Sequence, residues 1–209
     1  MTDSNTLTEE QKDTAWVTIE IPVPPGPLFD FLKNTERLFH LNPYLDIREW
    51  KQLASGKQFH LKTLNEMNGI TYDLVVTLEA ANPDSSMLLS YDKGLKRALE
   101  IKLQPGTATG SILTLREYYH STTEENREEQ LKEVDHSLIH WASSIRGYLL
   151  GLQRWGWVWP YRWYLEHLWI GMRPFHRRIT RMLIWVTVLE FVVFLFVFTI
   201  YWLELARQH

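Results

Sequence analysis

Val17-Thr-Ile-Glu-Ile-Pro-Val-Pro-Pro-Gly-Pro-Leu-Phe-Asp-Phe-Leu32 changes period midway. Val17, Ile19 and Ile21 alternate with Thr18 and Glu20, as on a half-buried strand. Pro22 to Pro27 ends that strand. Leu28, Phe29, Phe31 and Leu32 then give the apolar face of a short helix. A second short helix or turn runs to Leu41-Asn-Pro43. A strand that turns directly into paired short helices restricts the rest of the fold, because all three need one common apolar surface.

Strands dominate the next seventy-odd residues. Ile47–Leu53 and Gln58–Leu64 flank a turn at Ser55-Gly56, and Asn68-Gly69 is a hairpin signal. Beyond it Tyr72, Leu74, Val76 and Leu78 face one way, with Thr71, Asp73, Thr77 and Glu79 on the other side. Asn82-Pro-Asp-Ser85 turns the chain again. Met87–Tyr91, Leu95–Leu103 and Ile112–Tyr119 complete about seven strands, with Leu99 and Ile101 pointing inward and Glu100 outward. Thr122-Thr-Glu-Glu125 has the form of a capping box. Leu131, Val134, Leu138, Trp141, Ile145, Leu149 and Leu152 then recur at steps of three and four, the core stripe of a long amphipathic helix.

The expected fold is therefore α+β: a curved antiparallel sheet wrapped around a long C-terminal helix. This element order, with Val17–Leu32 and Leu41-Asn-Pro43, resembles the START-like superfamily, also called SRPBCC or Bet v 1-like, over residues 14–155. The resemblance implies the helix-grip architecture and a hydrophobic-ligand pocket. Members bind lipids, sterols, quinones and polyketides, and some are cyclases. It implies no shared catalytic set. In such a pocket Tyr72, Leu74, Val76, Tyr91, Leu99, Ile101 and Leu113 would come from the sheet, and Trp141 and Ile145 from the helix. Tyr91, Tyr118, Tyr119 and Glu100 are further polar groups on or beside the sheet, and a Tyr hydroxyl in a filled core needs only some hydrogen-bond partner.

The second organising feature is Met182 to Leu203, 22 residues with Glu190 as their single charge. A helix of that length spans roughly 33 Å, enough for a hydrocarbon core of about 30 Å. Arg173, Arg177, Arg178 and Arg181 precede it, whereas only Glu204, Arg207 and His209 come after. The positive-inside bias places the preceding domain in the cytoplasm, as a single-pass membrane protein of tail-anchor topology. Residues 1–13 are polar, slightly acidic and expected to be disordered, without the basic and apolar regions of a signal peptide. Residues 204–209 form a short tail.

Between domain and span, residues 156–181 form an aromatic, Arg-rich segment. From Trp155 to Trp169 seven of fifteen residues are Trp or Tyr, among them Trp155, Trp157, Trp159, Trp163 and Trp169, with Arg162 interleaved. Such rings favour the headgroup layer, and Arg tips reach phosphate. Residues 160–172 read as an interfacial helix, and Gly171-Met-Arg-Pro174 as the turn into the span. Packing of that helix on the domain is the competing reading, and the two are compatible. Glu190 costs on the order of 2.5–3.5 kcal/mol if charged within a bilayer, so it is either a neutral acid or a contact to a partner helix.

Charge and composition exclude other classes. Residues 1–150 carry 15 Lys+Arg against 22 Asp+Glu, whereas 151–209 carry 7 Arg and 3 Glu. An acidic body on a basic tail argues against nucleic acid and for anionic lipid. The absence of cysteine excludes disulfides, thiol catalysis and Cys-based zinc sites. His136 and His140, four apart beside Glu133 and Asp135, have metal-ligand spacing but fall mostly off the apolar stripe, so a solvated helix face accounts for them. No cofactor is expected. Three functions compete: a membrane-anchored protein that binds or transfers a hydrophobic ligand; a non-catalytic accessory subunit that meets a membrane-protein partner through the span; and a cyclase-like enzyme. The last lacks a convergent set of polar groups and ranks below the others.

Overall fold

A computed structural model describes residues 14–53, 56–79, 86–107, 109–119 and 137–207. The capping box, Leu131, Val134, the Asp135-His136 pair and residues 1–13 lie outside them. Seven strands form one antiparallel sheet: β1 (Thr14–Ile21), β2 (Leu45–Gln52), β3 (Gln58–Asn65), β4 (Thr71–Glu79), β5 (Ser86–Tyr91), β6 (Lys96–Pro105) and β7 (Ser111–Tyr119). Their order is β1-β7-β6-β5-β4-β3-β2. All but one neighbouring pair are joined by consecutive connections. The exception places β1 beside β7, with Thr14 opposite Tyr118 and Ile21 opposite Ser111.

Helices α1 (Pro25–Leu32) and α2 (Thr35–His40) fill the connection from β1 to β2. Proline occupies the first turn of α1, where its missing N–H costs nothing. Asn34 caps α2, its side chain accepting the Arg37 backbone N–H at 2.9 Å. Gly56, Gly69 and Gly94 take positive φ at the turns leading into β3, β4 and β6. This is why the Asn68-Gly69 signal works as a hairpin: its backbone conformation is costly for any side chain.

Helix α3 (Ser137–Trp155) lies on the concave face of the curved sheet. Leu138, Trp141, Ala142, Ile145, Tyr148 and Leu149 share one buried cluster with Ile21, Leu28, Leu89, Leu99, Ile101, Leu113 and Leu115. Burying each such aliphatic side chain contributes roughly 1.5–3 kcal/mol. Arg146 Nε donates to the Glu20 carbonyl at 3.0 Å and fixes the helix along β1.

The chain divides into two compact units, residues 1–171 and 172–209. The first ends in α4 (Trp159–Trp163) and a π-helical turn over Tyr164–Trp169. The second is dominated by α5 (Pro174–Arg207), a single helix long and apolar enough to cross a membrane. Every residue from Met182 to Leu203 on it is exposed. Arg177, Arg178 and Arg181 stand in its first two turns.

Candidate functional site: a small cavity with a buried carboxylate

A cavity of about 60 Å³ opens within the first unit, lined by α2, α3, strands β2–β5, the start of β6 and the end of β7. Phe39, Leu45, Leu61, Leu74, Tyr91 and Trp141 give it apolar walls. Phe39 is the hub of this lining, with ring centres 5.5 Å from Trp141 and 6.5 Å from Tyr91. Trp141 is only 2% exposed. Its indole Nε1 donates to the Leu38 carbonyl at 2.9 Å, so the ring is held against α2.

The polar part is contributed by four strands, β3, β4, β6 and β7. Thr63 and Asn65 alternate with Leu61 on the inward face of β3. The Thr63 hydroxyl donates to the Asp46 carbonyl, and the Asn65 side chain accepts the Met67 N–H. Tyr72, on β4, accepts a hydrogen bond from the Asn68 side-chain amide at 3.3 Å. Glu117, on β7, is 1% exposed and is the one carboxylate of the lining. Lys96 Nζ donates to its Oε1 at 2.7 Å, and the Tyr119 hydroxyl to its Oε2 at 2.8 Å. Removing a carboxylate from water is costly unless it is paired and hydrogen-bonded, and both its oxygens are. The turn Lys93-Gly94-Leu95 adds the remaining lining beside Lys96.

Of the pocket residues expected from sequence, Tyr72, Leu74, Tyr91 and Trp141 line this cavity. Val76, Leu99, Ile101, Leu113 and Ile145 are outside this lining and belong to the same core cluster as Leu74 and Trp141, each at most 2% exposed. Glu100 faces outward. Burial raises its pKa, but hydrogen bonds from Lys102 and Tyr118, with Arg116 nearby, outweigh that and hold the carboxyl below the ordinary glutamate range. His140 stacks edge-on with Tyr44 at 5.4 Å, and among the described residues no His, Asp and Glu cluster could hold a metal. Sequence reasoning passed over Glu117 and Lys96. The signal for Glu117 was present: it continues the inward parity of Leu113 and Leu115.

The aromatic segment is two-sided. Tyr161, Tyr164, Leu165 and Trp169 pack against the core cluster of the domain. Trp155, Trp157, Trp159 and Trp163 are exposed, Trp157 by 81%. Arg162 pairs with Glu166 one turn on, at 3.1 Å. Beneath this segment burial pushes the Tyr148 hydroxyl pKa up, and among the described residues that buried hydroxyl finds no hydrogen-bond partner.

No protein-family model and no curated protein matches the chain. Solved structures do. A START superfamily protein from Mycobacterium smegmatis aligns over 67% of this chain and 99% of its own, at 15% identity and a TM-score of 0.50. A conserved protein from Geobacillus kaustophilus aligns over 66% and 96%, at 13% identity and 0.51. A protein from Thermus thermophilus aligns over 66% and 97%, at 14% identity and 0.50. Residue identity is too low for any site to be carried across, and the likeness is one of fold. The seven-stranded sheet closed by a long helix is the START-like, helix-grip fold.

Proposed function

We propose that this protein holds a START-like domain at a membrane surface and there takes up one end of a hydrophobic molecule. The observation that carries this reading is the cavity itself, apolar on most sides and furnished with a buried Glu117 carboxylate paired to the half-buried Lys96. An apolar pocket with a few convergent polar groups is the usual form of a small-molecule site. Its size refines the reading. One water needs ~10–15 Å³ of such space, so about 60 Å³ admits a ring or chain end and not a whole lipid. The remainder of the ligand would leave past the Lys93–Lys96 turn. Lipid, sterol and quinone all satisfy that description.

The anchoring part of the proposal rests on α5, whose length and apolar surface suit a bilayer, and on the exposed tryptophans. Rings such as Trp157 and Trp159 gain by lying at the headgroup level. With Arg173, Arg177, Arg178 and Arg181 before the span, the domain would face the cytoplasm.

Native mass spectrometry and lipid extraction of the full chain, purified in mild detergent, test the ligand. A co-purifying apolar molecule at one per chain is expected. Leu74→Trp, which fills the cavity, should remove it while thermal unfolding stays cooperative. No bound molecule from any membrane source would end this reading. A second reading is then favoured by the small cavity and by the carboxyl on α5: an accessory subunit whose span docks on a membrane protein. Stoichiometric recovery of a partner in a mild-detergent pull-down would be its signature.

A further inference from the structure

Glu190 does not stand alone on α5. Leu183, Val186, Glu190, Val193, Val197 and Ile200 succeed one another at steps of 3, 4, 3, 4 and 3, the spacing of a seam between two helices. All six are exposed. None is aromatic, although seven of the other sixteen positions between Met182 and Leu203 are. The aromatic bulk stacks along a different line: Phe194 lies 6.2 Å from Phe198, and Phe198 lies 6.3 Å from Trp202. The seam positions are thus aliphatic, with Phe194 and Tyr201 along one border, and the single carboxyl between Met182 and Leu203 lies in their middle.

We infer that this face is a homodimer seam, through which two copies of the chain pair side by side within the bilayer. Chemistry and symmetry favour a second copy over an unrelated helix as the occupant. Copies of one chain insert with the same orientation, so a two-fold seam brings each position level with its own mate. Glu190 then meets Glu190. A neutral carboxyl carries a donor and an acceptor, so two of them satisfy each other with no further group. Hydrocarbon offers neither partner a substitute, and side-chain hydrogen bonds across helices are a recognised source of association there. The β-branched Val and Ile on both sides supply aliphatic packing between Phe194 and Tyr201 at one border and the rest of the helix. A heterologous partner would need its own donor at the same depth; a second copy brings one necessarily. The inference rests on the proposal that α5 spans a membrane.

The chain has no cysteine, so each introduced one is unique. The full chain would be reconstituted in phosphatidylcholine vesicles with Val193→Cys or Val197→Cys on the seam, and Val188→Cys or Leu195→Cys off it. Mild oxidation should cross-link the seam variants about tenfold faster, and Glu190→Leu should slow the Val193→Cys reaction by a similar factor while Glu190→Gln retains it. Equal rates at all four positions, or no dependence on Glu190, would overturn the seam. Release of the unmodified chain from vesicles by alkaline carbonate would overturn the membrane reading and the seam with it. Integral protein with no cross-link would overturn the seam alone.

Discussion

Trp141 of α3 donates its indole N–H to the Leu38 carbonyl near the end of α2, 2.9 Å away, across a sequence gap of 103 residues. One bond ties the helix that closes the sheet to the helix pair after the first strand, and the same ring forms a wall of the cavity. Trp141→Phe keeps most of the ring and removes the donor. The Leu38 carbonyl keeps the Leu41 N–H at 3.2 Å, so the loss is that of one hydrogen bond, about 0.5–1.5 kcal/mol. Trp141→Ala should cost about 3–5 kcal/mol through the void. Urea unfolding of the full chain in detergent measures both. A Trp141→Phe variant as stable as the parent would show that the hydrogen bond contributes nothing.

The Lys96–Glu117 pair makes a separate prediction. Lys96→Met leaves a carboxylate that is 1% exposed without its cation, and a loss of about 3–5 kcal/mol is expected. Lys96→Met combined with Glu117→Leu removes both charges and should lie within about 1 kcal/mol of the parent. The double-mutant cycle reads the coupling directly. Additive single effects would mean that the two groups do not interact in solution.

Gly156 ends α3, its N–H bonded to the Leu152 carbonyl at 2.8 Å. A Cβ added there would collide with that same carbonyl oxygen. Gly156→Ala must therefore unwind the turn that leads into the aromatic segment, at a cost of about 1–3 kcal/mol. Near-ultraviolet circular dichroism should change with it, since Trp155 and Trp157 flank the turn. An unchanged spectrum and melting temperature would contradict this geometry.

Glu100 supplies the pH dependence. Burial raises its pKa, but Lys102, Tyr118 and Arg116 lower it further, so the folded carboxyl releases its proton below the unfolded value. Its contribution to stability is thus present above the ordinary glutamate range and fades as pH falls through the folded value. Tyr118→Phe removes the 2.7 Å hydrogen bond to Oε2 and should move the titration upward. Carbon-detected NMR of the carboxyl measures it. A midpoint unmoved by that substitution would assign the shift to the cations alone.

The sheet was legible in the sequence because period-two alternation survives wherever one face is buried. The run from Tyr72 to Leu78 is the clearest case. The polar floor of the cavity was less so. Glu117 keeps the parity of β7, but Lys96 does not keep that of β6: the register shifts between Lys96 and Ala98, which sets Lys96 opposite Tyr119. A single irregular residue reverses the face of a strand, and no pattern of hydrophobicity announces it. The aromatic segment was opaque for a related reason. Its π-helical turn departs from the 3.6-residue period, so a regular wheel could not separate Tyr164 and Trp169, packed on the core, from the exposed Trp157 and Trp159.

The pairing of β1 with β7 joins the two most distant strands of the sequence. Thr14 finds its partner in Tyr118 and Ile21 in Ser111, so loops of roughly a hundred residues must close before that ladder exists, and closure of long loops carries an entropic cost that contacts repay only afterwards. Until β7 arrives, Val17, Ile19 and Ile21 lack their ladder. A chain paused during synthesis between β1 and β7 carries an open apolar edge, and that interval is when a chaperone, or a neighbouring nascent chain, meets this protein most readily.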